Sequence, residues 1–107
     1  MAAYAFDEAS GTGVVDASGS GNNGTAANTT RTAAGRYGGA LSFNGTSSRV
    51  TIPDSASLHL TTAMTLEAWV SPTAVSGSWA DVIEKGNDNY FLMAGSSAGA
   101  ADRKSVV

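Results

Sequence analysis

Cysteine is absent from the 107-residue chain, which excludes disulfides and thiolate metal sites. That absence does not assign the chain to the cytoplasm, since secreted bacterial domains also do without cysteine. The single histidine, His59, has no second histidine or cysteine near it in sequence. It reads as a surface loop residue rather than a metal ligand or catalytic base. Charged residues are sparse at 14%, the net charge is -3, and no basic cluster occurs. Nucleic acid and anionic membrane surfaces are therefore poor candidate partners, and no nucleic acid partner is expected. No apolar run reaches the length needed to span a bilayer, so membrane insertion is excluded as well. No signal peptide is visible, because Met1 leads straight into strand-like residues 2–6 (AAYAF). A chain that begins inside a strand predicts a longer parent protein whose upstream part is missing here.

Small and polar residues fill the space these absences leave. Glycine occurs 13 times, beside abundant Ser, Thr, Asn and Ala. Such a chain favours short strands and tight turns over long helices. The hydrophobic fraction of 42% supports one core, but much of it is alanine, which buries little area and predicts modest stability. The stretch 38–72 organises the rest. Leu41 and Phe43, then Val50 and Ile52, then Met64, Leu66, Ala68 and Val70 recur at every second residue. Period two gives strands with one core face. Asn44-Gly45 and Pro53-Asp54-Ser55 supply the turns between them. This pattern predicts an all-β antiparallel sandwich with residues 64–70 as a central strand.

Along the chain, Tyr4 and Phe6 share one face of a first short strand. Val14 and Val15 begin an extended piece that ends at Asp16. Residues 17–24 (ASGSGNNG) read two ways. One is a plain Gly/Asn turn or linker. The other is a calcium loop, because Asp16, Ser18, Asn22 and Asn23 offer oxygens on a backbone that can curl. Residues 26–35 are weakly patterned and predict a loop with an irregular strand. Asn23, Asn28 and Asn44 each open a glycosylation sequon, which in a chain so rich in Asn, Ser and Thr reads as chance. Residues 54–60 predict a half-turn with Leu58 and Leu60 inward. Residues 81–85 and 90–94 predict a hairpin around a turn at 86–89. The total is about seven strands and no amphipathic helix. The final hexapeptide, residues 102–107 (DRKSVV), resembles the in-frame translation of a sequencing adapter. It predicts a non-native tail, with natural residues ending near Ala101.

Five blocks in order resemble the laminin-G-like jelly-roll domains of the concanavalin A-like lectin/glucanase superfamily. They are YAFDE followed by Ser10-Gly11-Thr12, VDASG with Gly21-Asn22-Asn23-Gly24, residues 38–45 (GGALSFNG), residues 50–55 (VTIPDS) and residues 64–72 (MTLEAWVSP). The resemblance implies a truncated concanavalin A-like antiparallel jelly roll, with residues 1–101 as the N-terminal part of one domain. It implies a non-catalytic carbohydrate-binding or adhesion module of a larger secreted or surface bacterial protein, often with a structural calcium; here Asp16, Ser18, Asn22 and Asn23 are the candidates to hold it. Glycan or polysaccharide is the implied partner. A structural spacer or protein-interaction module is the alternative, and part of a glycoside hydrolase a further one. Sugar binding needs an aromatic platform and a few convergent polar groups. Trp79, in a Gly/Ser loop, with Asn87, Asp81 and Arg49, is the candidate set, whereas Trp69 is expected to pack in the core. Glycoside hydrolysis needs two facing carboxylates. Glu67 stands alone on its strand, so no enzyme activity is expected.

Overall fold

A computed structural model describes residues 1–73, 80–86 and 90–95 of the chain. It divides into two units, Met1–Thr61 and Thr62–Val107. The described residues form antiparallel strands and one 3-10 turn, with no α-helix among them.

In the first unit, β1 (Gly13–Val14), β2 (Gly24–Ala27) and β5 (Arg49–Thr51) make a three-stranded antiparallel sheet in the order β1-β2-β5. Val14 lies opposite Gly24, and Ala26 opposite Val50. These positions share one face, because side chains two apart on a strand point the same way. That face holds the core of the unit: Val14 is 1% exposed and Ala26 is also buried. Gly24 fits closely there, since a Cβ at this position would lie 3.0 Å from the Thr51 carbonyl oxygen and 3.1 Å from Ile52 Cγ1. The opposite face carries the exposed Thr25 and Thr51 as a cross-strand pair.

A second ribbon pairs β3 (Thr30–Thr32) with β4 (Ala40–Ser42). Arg31 and Leu41 face each other and are half-buried, while Thr30, Thr32 and Ser42 are exposed. Residues 33–39 connect the two strands. The 3-10 turn at Ala56–Leu58 stands where a half-turn is expected. Leu58 is half-buried there, but Leu60 is exposed rather than inward. Residues 2–6 have no ladder partner among the described residues, yet their burial alternates, and the Tyr4 and Phe6 rings stack with centroids 6.3 Å apart.

In the second unit, β6 (Ala80–Lys85) pairs antiparallel with β7 (Tyr90–Gly95), as the hairpin pattern predicts. Val82 is skipped between the pairs Asp81–Met93 and Ile83–Leu92, so a bulge reverses the alternation there. Residues 64–70 differ from expectation, for they form no ladder with any described strand. Met64 and Leu66 are half-buried between the exposed Thr65 and Glu67, so the period survives over these four residues. Beyond them both phases are exposed, and Trp69, expected in the core, is 70% exposed. Period two makes a segment competent to be a strand, but partner hydrogen bonds make the strand. The expected tail, residues 102–107, lies outside the described residues.

Candidate functional site

The four candidate calcium ligands come together in the β1–β2 connection. Gly19 and Gly21 have φ of +84° and +75°, which lets the chain reverse twice within a few residues. The mouth of the loop is closed by the Asp16 amide, which donates to Asn23 Oδ1 at 2.9 Å. Inside, Asp16 is 6% exposed. Its Oδ1 accepts the amides of Ala3 at 3.0 Å and Ser18 at 2.9 Å. Its Oδ2 accepts the amide of Asn22 at 3.0 Å. The Ser18 side chain first, and then the amides of Ala3, Ser18 and Asn22, hold the Asp16 carboxyl far below the usual carboxylate range, against the opposing effect of burial.

Asn22 extends the cluster. It is 4% exposed, and every polar group of its side chain is used. Nδ2 donates to the Met1 carbonyl at 3.1 Å, while Oδ1 accepts the hydroxyls of Ser55 at 2.5 Å and Ser57 at 3.0 Å. Its backbone carbonyl accepts the Tyr4 hydroxyl at 2.6 Å. The Ser18 hydroxyl donates to the Met1 carbonyl at 2.9 Å. Asp16 and Asn22 thereby tie the N-terminal segment, the loop and the 56–58 turn into one network. Among the described residues no buried side-chain nitrogen or oxygen lacks a partner.

This arrangement does not fit calcium as it stands. Calcium takes six to eight oxygens, with several carboxylates in tight sites. Asp16 is the one carboxylate of this network, and among the described residues no group of three or more His, Cys, Asp or Glu gathers. The Asp16 oxygens face amide hydrogens, the Asn22 oxygen faces two hydroxyls, and the Asn23 oxygen faces the Asp16 amide. Those donors point positive hydrogens at the place a cation would take. The plain-turn reading of residues 17–24 accounts for the geometry without an ion.

Other carboxylates of the first unit are similarly engaged. Glu8 Oε1 accepts the Val15 amide at 2.7 Å, and Oε2 receives Arg31 Nη1 at 2.9 Å. Arg31 also donates from Nε to the Gly11 carbonyl at 3.0 Å and from Nη2 to that of Gly13 at 2.6 Å. The Val15 amide is the main cause that holds the Glu8 carboxyl below its ordinary value, with Arg31 adding to it. Asp7 Oδ1 accepts the Gly39 amide at 2.6 Å. Asp54 pairs with His59 Nε2 at 3.0 Å on the surface. The hydroxyls of Ser55 and Ser57 turn to Asn22, not to His59.

Of the expected sugar-binding residues, Arg49 is exposed on β5 in the first unit and Asp81 is exposed on β6 in the second. Trp79 and Asn87 lie outside the described residues. The sequence reading passed over Arg36 and Tyr37. Tyr37 is 73% exposed, and the Arg36 guanidinium carbon stands 4.8 Å from its ring centroid. Their signal was an aromatic and a cation enclosed by glycines, as GRYGG. Asn44 organises a third polar loop: its Oδ1 accepts the amides of Thr46, Ser47 and Ser48 at 3.0, 2.9 and 3.0 Å.

Comparison with known proteins gives one match. A family model described as the concanavalin A-like lectin/glucanases superfamily, of laminin G type, matches residues 44–103, more than half of the chain. No curated protein and no solved structure matches it.

Proposed function

The chain belongs to the concanavalin A-like lectin/glucanases superfamily, and on that premise we propose that it is a non-catalytic carbohydrate-binding or adhesion module. The family match is the observation that carries this reading. The antiparallel sheets and the exposed polar loops around Asn44 and Arg36 agree with it. Fold alone does not fix function, so the chemistry of the side chains has to agree too.

The carboxylates of the first unit support the non-catalytic half of the proposal. Glycoside hydrolysis needs a pair of carboxyl groups facing across a cleft, one free to donate a proton. In residues 1–61 the four carboxylates, Asp7, Glu8, Asp16 and Asp54, are each bound to a donor of the protein itself. His59 has an acidic partner in Asp54, and the neighbouring Ser55 and Ser57 hydroxyls donate to Asn22 rather than to it. We place the module outside the cell or on its surface, as part of a longer protein. No helix among the described residues is long and apolar enough to cross a membrane.

A glycan array probed with the 107-residue chain tests the binding half. Reproducible signal on one class of glycan is the expected result. Signal on none of them contradicts it. A reducing-end assay on the same glycans tests the other half, where release of new ends contradicts a purely binding role.

A further inference from the structure

The chain carries the pairs Asn23-Gly24 and Asn44-Gly45, and the fold treats them differently. An asparagine loses its side-chain amide when the backbone nitrogen of the next residue attacks Cγ. Glycine in that next place leaves the nitrogen unshielded, since it has no Cβ. In the first pair the nitrogen is occupied. The Ala26 amide donates to the Thr12 carbonyl at 2.7 Å. Two residues along each strand, Val14 lies opposite Gly24, and the alternation of an antiparallel ladder makes this the next hydrogen-bonded pair. The space beside Gly24 is filled by the Thr51 carbonyl and Ile52.

In the second pair the nitrogen is open. Among the described residues the Gly45 amide has no acceptor. Gly45 is exposed, and nothing lies within 4 Å of its Cβ position. Asn44 Oδ1 accepts the amides of Thr46, Ser47 and Ser48 at 2.9–3.0 Å and the Thr46 hydroxyl at 3.2 Å. Attack on Cγ places negative charge on that oxygen, where donors already aimed at it stabilise the charge.

We propose that Asn44-Gly45 is a self-modifying site, at which Asn44 loses ammonia to become aspartate in a loop already shaped for the anion. Solvent base takes the Gly45 amide proton, the Gly45 nitrogen bonds to Cγ, and the Cγ–Nδ2 bond breaks. Nδ2 leaves as ammonia with a proton from water. Water then opens the five-membered imide, at Cγ to give aspartate or at the main-chain carbonyl to give isoaspartate. The aspartate keeps an oxygen for the three amides and makes those bonds charge-assisted, hence stronger. Asn44 Nδ2 now donates to Ser47 Oγ at 3.0 Å; in the product that hydroxyl turns and donates to the carboxylate. The modification adds one negative charge to an exposed loop without releasing it.

The test incubates the 107-residue chain at about pH 8, folded and in urea, and follows aspartate and isoaspartate at both positions by peptide mapping and mass. In the folded chain residue 44 should convert about tenfold or more faster than residue 23, because Gly24 must first give up a ladder hydrogen bond. In urea the two rates should converge, since both pairs are Asn-Gly. Equal rates in the folded chain overturn the proposal. So does an Asn44 that reacts in urea and stays intact when folded, for the loop would then protect it. Asn44→Asp, made directly, should melt no lower than wild type at about pH 7. A lower melt overturns the claim that the loop is shaped for the anion.

Discussion

The amide of Asn22 donates to Asp16 Oδ2 at 3.0 Å while the amide of Asp16 donates to Asn23 Oδ1 at 2.9 Å. A buried carboxylate thus holds the β1–β2 loop from within, and the N-terminal segment is attached to the same group through Ala3. The loop needs an anion at its centre.

Stability should therefore fall with acid. Asp16 and Glu8 both have folded pKa values below their ordinary ones. A depressed carboxyl binds its proton more readily in the unfolded chain, so its stabilisation is complete above the unfolded pKa, about 4. It is lost as pH falls from there through the folded value. The melting temperature should stay level with respect to these groups from pH 6 to pH 8 and drop below about pH 4. Asp16→Asn should melt lower at pH 7 and show a shallower acid limb. A parallel limb in the variant would show that Asp16 is not its source.

Calcium should make no difference to this loop. Melts in calcium and in EDTA should coincide for wild type, and Asp16→Ala should be destabilised equally in both. A rise with calcium in wild type that Asp16→Ala abolishes would show that the amide donors give way to an ion.

Much of the fold was legible, and the exceptions have physical causes. The hairpin of β6 and β7 is local, with two patterned runs and a turn between them, so pattern alone locates it. β4 and β5 follow from Leu41 and Val50 in the same way. β2 and β3 were read as a loop with an irregular strand, because Ala26, Ala27, Thr30 and Thr32 give little contrast between faces. β2 owes its place between β1 and β5 to distant partners such as Val50 and Thr51. Residues 64–70 show the reverse case, strong alternation with no ladder among the described residues. At the loop, the sequence picked out Asp16, Ser18, Asn22 and Asn23 together. It could not say whether their oxygens meet an ion or amides, because the same side chains serve both.

The two kinds of glycine should separate on substitution. Gly39→Ala puts a methyl group into the Phe6 carbonyl and Asp7 and should cost about 1–3 kcal/mol. Gly45 has φ of +75° and open space around its Cβ position, so Gly45→Ala should cost only the left-handed strain, roughly 1–2 kcal/mol. Urea denaturation of the two variants measures both. For Gly39 the same variant should also release the 33–39 loop, seen as faster hydrogen exchange at Gly35.

Arg31 is used as a fork, not as a charge. It reaches Glu8 and the carbonyls of Gly11 and Gly13 at once. Lysine keeps the charge but cannot span three acceptors. Arg31→Lys should cost about 1–2 kcal/mol in urea unfolding, the loss of one or two hydrogen bonds from a charged donor. A variant as stable as wild type would mean that the ion pair alone matters.

The central claim is that this chain holds sugar and leaves it intact. The direct measurement is recovery of a bound glycan: the chain is saturated with the strongest ligand from the array, the complex is isolated, and the released glycan is sized by mass. The account predicts saturable binding and a glycan of unchanged length after prolonged incubation. A shortened glycan, or no glycan retained at any concentration, would contradict it.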